Sequence, residues 1–148
     1  FRRVLFRSGK VMITMEQYVG QYDSSPDWTA ARQLNAAELL VACWELEKLA
    51  IADGIEFPDN PATGSGVSGE TYGGFRPQSC RIGAPHSAHK EGFAVDRYDP
   101  KGLIDSWCMA NQAKLAACGI YLEHPSKTIG WSHWTTRAPL SRNRVFMP

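Results

Sequence analysis

The chain has 148 residues, 43% hydrophobic and 21% charged, which is the make-up of an ordinary globular protein with length for one domain and its own core. No apolar run approaches the roughly 18–20 residues of a membrane helix, so no membrane insertion is expected. The net charge of +1 shows no basic excess of the kind that marks a nucleic-acid binder, which excludes nucleic acid as a partner.

The first eight residues, FRRVLFRS, read as the translated end of a sequencing adapter, with a natural start near Met12 or Met15. They are set aside as a non-native segment. Without Arg2, Arg3 and Arg7 the 16 basic residues become 13 against 15 acidic ones, a net charge of −2. Residues 9–148 are expected to form a single domain, and a monomer. The following VMITMEQYVGQYDSS lacks the apolar core of a secretory signal. Cys43, Cys80, Cys108 and Cys118 match no small disulfide framework in their spacing and are expected to be reduced.

SPDWTAARQLNAAELLVACWELEKLAIADG predicts a long helix. Leu39, Cys43, Leu46 and Ala50 recur at helical spacing, Leu40 and Trp44 widen the apolar face, Asp27 or Asn35 can cap the start, and Gly54 marks the exit. Residues 56–70, rich in Pro, Gly and Ser, predict a loop, and TYGGFRP a short strand. GFAVDRY predicts a strand with Ala94 and Asp96 on one face. DPKGLIDSWCMANQAKLAACG predicts a second helix, with Asp99 as cap, Pro100 in the first turn and Gly119 at the exit. IYLE and GWSHWTT predict two strands joined by HPSKTI, and RAPLSRNRVFMP an irregular tail or a last edge strand. The order of elements predicts an α+β fold: a mainly antiparallel sheet with flanking helices.

GAPHSAHKEGFAVDRYDP, residues 83–100, concentrates the chemistry. His89 and Asp96 stand seven apart with Gly92 between them, and a chain that turns at Gly92 and returns as a strand can bring both to one point. His133, between Trp131 and Trp134 on another strand, can be delivered beside them by strand pairing. Two imidazoles and a carboxylate form a three-ligand set that leaves a fourth metal position free for water. Spacing alone leaves a second reading open, in which the histidines are hydrogen-bonded structural residues and Asp96 ends a strand.

SAHKEGFAVD resembles the Ser-x-His-x-x-Gly-x-Ala-x-Asp signature of the zinc D-alanyl-D-alanine carboxypeptidases. That family includes phage peptidoglycan endopeptidases and shares its fold with the hedgehog signalling domain. Ser87, His89, Gly92, Ala94 and Asp96 match it. GGFRP is similar to the family's Gly-Tyr-Arg segment, and GWSHW to the strand that bears its last histidine ligand. The matches run in order from Tyr72 to Trp134, nearly half the chain. The resemblance implies a zinc peptidase of that fold acting on peptidoglycan stem peptides or cross-links, with Zn2+ held by His89, Asp96 and His133.

It further implies that Arg76 holds the developing oxyanion or a substrate carboxylate. His86, Ser87 and Trp131 are the other candidate substrate contacts, and His124 is a weaker one. A setting like that of small phage endolysins is implied, made in the host cytoplasm without a signal peptide and acting on the wall after release, or else carried in the virion. The chain departs from the family at Gly130, three residues before His133, where many members carry a catalytic glutamate in Glu-x-x-His. Glu123 is the expected acid, by similarity to the Tyr-Tyr-Glu of hedgehog-type relatives, and Glu91 the alternative. A non-hydrolytic zinc-containing wall-binding or virion module of the same fold is the competing reading.

Overall fold

The computed structural model describes residues 12–148, so the expectation for residues 1–8 lies outside it. A one-turn helix, α1 (Met15–Val19), opens the described chain. It is too short to announce itself by periodicity. A capping box holds it: Thr14 Oγ1 accepts from Gln17 N, and Gln17 Oε1 accepts from Thr14 N.

The long helix α2 (Ala30–Ala52) buries Leu39, Leu40, Cys43, Trp44, Leu46 and Ala50, as its spacing predicts. Its cap is Thr29, which accepts from Arg32 N, and neither Asp27 nor Asn35 serves. Those two tie the helix to later segments: Asp27 accepts from Gln78 N, and Asn35 donates to the Glu91 carbonyl. The predicted second helix is two, α3 (Leu103–Ala110) and α4 (Gln112–Cys118), broken at Asn111. Asp99 does cap, taking Ile104 N and Asp105 N on its carboxylate. Pro100 precedes an added turn at Gly102, so it does not begin the helix. Together these are four α-helices among the described residues.

Four strands form one sheet in the order β1-β3-β2-β4: β1 (Ala94–Tyr98), β2 (Tyr121–Glu123), β3 (Trp131–Thr135) and β4 (Val145–Phe146). β3 runs antiparallel to β1 and to β2, whereas β4 runs parallel to β2. The fold is α+β as predicted, but the sheet is mixed rather than mainly antiparallel. After β3 the chain crosses the sheet end and returns beside β2 in the same direction. There Leu122 N donates to the Arg144 carbonyl and His124 N to that of Phe146.

TYGGFRP forms no strand. Its backbone serves its neighbours instead of a ladder: the Gly73 carbonyl accepts Asp96 N, Phe75 N donates to the Tyr18 carbonyl, and Arg76 N to that of His89. All four cysteines are free, and Cys43 and Cys108 are buried in the core.

The apolar layer between helices and sheet contains Leu39, Ile104, Leu115, Leu122, Val95 and Trp134. Arg97 points into it from β1, its guanidinium 4.9 Å from the Phe57 ring and 5.5 Å from that of Trp134, and pairs with Glu47 of α2. Burial pushes the Glu47 carboxyl up to about 7, although Arg97 opposes the shift.

Candidate metal centre

Strand alternation decides which side chains of β3 meet the cleft. Trp131, His133 and Thr135 face it, while Ser132 and Trp134 turn into the core. The register sets Asp96 of β1 directly opposite His133. Directly opposed residues on one face have Cβ atoms about 5 Å apart, close enough for one ring nitrogen to reach a carboxylate. His133 Nδ1 lies 2.8 Å from Asp96 Oδ1.

His89 arrives from outside the sheet. It sits on a single 3₁₀ turn, Ala88–Glu91, whose start is capped by Ser87 Oγ accepting from His89 N. Gly92 ends the turn at φ +77°, which L side chains rarely adopt, and a Cβ there would lie 2.6 Å from the Arg32 carbonyl oxygen. This glycine lets the chain double back from His89 into β1. His89 Nδ1 is 2.8 Å from the Gly74 carbonyl oxygen. A carbonyl only accepts, so Nδ1 carries the proton, and Nε2, 3.3 Å from Asp96 Oδ1, is the nitrogen left for a cation.

The three donor atoms lie within 4.8 Å of one another, so His89, Asp96 and His133 form a cluster that can hold a metal ion. The electrostatics suit a cation. Burial pushes the His89 imidazole down, toward the neutral form a metal requires, against the pull of Asp96. Burial raises the Asp96 carboxyl, but His89 and His133 overcome it and hold it well below the usual carboxylate range.

The cluster lies in a cleft of about 460 Å³. Arg76, His86, Ser87, Glu123 and Trp131, all expected site residues, line it. Glu123 ends β2, half-buried, and its carboxylate has no hydrogen-bond partner among the described residues. Burial raises that carboxyl above the usual range, and nearby Asp96 and Asp105 add to the shift against His133. Glu91, the alternative acid, pairs instead with Arg32 at 3.4 Å and does not line the cleft. His124 is no part of the lining either: its Nδ1 accepts from Ser126 N and caps the turn Pro125–Lys127. Trp134 is wholly buried, its indole N–H donated to Ser132 Oγ.

Other residues complete the lining. Thr135 follows from strand parity once His133 is placed. Phe146 of β4 sets its ring 6.2 Å from that of His133, and nothing in the sequence pattern announces it. Lys127 and Arg137 put cations on the cleft walls. Behind the site, Thr128 Oγ1 donates to Asp105 Oδ2 at 2.7 Å, which fixes the β2–β3 connection. No family profile, curated protein or solved structure matches this chain.

Proposed function

We propose that this protein is a zinc-dependent peptidase that hydrolyses peptide bonds of bacterial peptidoglycan, with the fold of the zinc D-alanyl-D-alanine carboxypeptidases and the hedgehog domain. One observation carries the reading. Two imidazoles and one carboxylate converge in a cleft that also presents a half-buried, unbonded carboxylate, Glu123. Neutral nitrogens with a single carboxylate suit zinc with an open position. When bound there, zinc supplies Lewis acidity toward the scissile carbonyl and acidifies water.

The chain's own groups do the rest. Glu123 takes the proton of the attacking water and returns it to the leaving amine, so one water adds across one amide bond. Trp131 and residues 82–84 and 86–88 line the cleft. The cations Lys127 and Arg137 favour an anionic peptide, such as a stem with free carboxylates. The protein acts on the wall after release from the host cell, or from within a virion.

Gly130 in place of the usual glutamate favours the second reading, a zinc-containing module that binds wall without cutting it. Mass spectrometry of muropeptides after incubation with purified sacculi separates the two. New amino and carboxyl ends within stem peptides, abolished by chelator and restored by zinc, are expected. Co-sedimentation with sacculi that stay chemically intact would overturn the enzyme reading.

A further inference from the structure

The resemblance assigns Arg76 to the substrate, but its contacts lie inside the protein. Nε donates to the Tyr72 carbonyl at 2.7 Å, Nη1 to the Ile82 carbonyl at 3.2 Å, and Nη2 to Asp96 Oδ2 at 3.3 Å. The other oxygen of Asp96, Oδ1, is the one that faces both imidazoles. The residue is only 8% exposed.

The loop that follows, residues 77–87, lies over the guanidinium. Gly83 adopts φ +78°, and a Cβ there would stand 2.6 Å from Arg76 Nη1. This wall of the cleft belongs to neither helix nor sheet. Cationic side chains hold it by its carbonyls: Arg76 at Ile82, Lys90 at Gln78 (3.0 Å) and Pro85 (3.2 Å), and Arg137 at His86 (3.0 Å).

We propose that Arg76 is a positioning residue that presets Asp96 as a single-oxygen metal ligand and couples that ligand to the wall loop 77–87. By occupying Oδ2 it leaves Oδ1 as the donor offered to the cation. By holding Ile82 with the same planar group it makes the order of the wall depend on the order of the ligand. A guanidinium can do this because its donors diverge in one rigid plane; an ammonium at the same place reaches fewer of these acceptors. The inference rests on the metal-site reading above, since without a cation there is nothing for Asp96 to be preset toward.

The test compares wild type, Arg76→Gln and Arg76→Lys. Zinc affinity is measured by competition with a chromophoric chelator, the cobalt-substituted absorption spectrum is recorded, and amide exchange is followed in residues 77–87. Loss of a group that orients a ligand typically weakens metal binding about 10–100-fold. That loss is expected for Arg76→Gln, with Arg76→Lys in between, a changed cobalt spectrum, and faster exchange of 77–87 in the zinc-loaded variants. Should Arg76→Gln fail to fold, Gly83→Ala serves, because its Cβ presses the loop off the guanidinium while Arg76 stays in place. It is expected to speed exchange of the loop and weaken zinc binding together. If wild type binds no zinc, the metal reading falls and this inference with it. If wild type binds zinc and the variants match it within about twofold, with the loop unchanged, this inference alone is overturned.

Discussion

Glu123→Gln isolates the proposed acid. The change keeps shape and removes charge and basicity, and the carboxylate has no hydrogen bond among the described residues to lose. Positioned proton transfer typically contributes about 10²–10⁴-fold, equivalent to roughly 3–5 kcal/mol of barrier, and turnover is expected to fall by that factor. Stability is expected to stay within about 0.5 kcal/mol, because no contact disappears. The sign of any residual change is fixed by the raised carboxyl. Folding disfavours ionised Glu123, so wild type loses a little stability as pH rises above 4.5, its ordinary value, and the glutamine variant does not. The assay is muropeptide release from sacculi, with bound zinc quantified in parallel. Wild-type turnover in a variant that keeps its zinc would refute the assignment; loss of zinc would show that Glu123 serves as a ligand instead.

Other perturbations probe the surrounding framework. Chelation is expected to lower the thermal midpoint, since zinc at about a thousandfold above its Kd stabilises the fold by roughly 4 kcal/mol; Asp96→Ala should make the midpoint indifferent to zinc in scanning calorimetry. Glu47→Gln leaves the Arg97 charge buried without a counter-ion, and urea unfolding should show a loss of about 3–5 kcal/mol; a loss below about 1 kcal/mol would mean that Arg97 relaxes into solvent. Gly92→Ala combines a disfavoured φ with a clash against the Arg32 carbonyl, so it should reduce thermal stability and zinc affinity together, whereas Lys101→Ala on the exposed surface should change neither.

What could be read from the sequence follows physical range. The face of α2 was legible because burial of Leu39, Cys43, Leu46 and Ala50 depends on period alone. The turn at Gly92 was legible for a similar reason, as a local conformational demand. The break at Asn111 was not, because it answers to the packing of two short helices rather than to any strong breaker. TYGGFRP misled because its strand-like composition serves a different purpose: Gly73 and Gly74 lend carbonyls to Asp96 N and His89 Nδ1. The metal set was named in advance, yet the pairing of Asp96 with His133 is a matter of register between strands far apart in sequence. The parallel β4, which brings Phe146 to the site, depends on a crossover that local pattern does not encode. For Arg76, sequence supplied the residue and only three-dimensional contacts supply its acceptors.

An anomalous diffraction measurement at the zinc edge, on crystals grown with one equivalent of zinc, bears most directly on the whole account. One peak per chain is expected, about 2.0–2.2 Å from His89 Nε2, His133 Nδ1 and Asp96 Oδ1. A zinc-loaded crystal with no peak at these three atoms, or with its peak elsewhere, would contradict it.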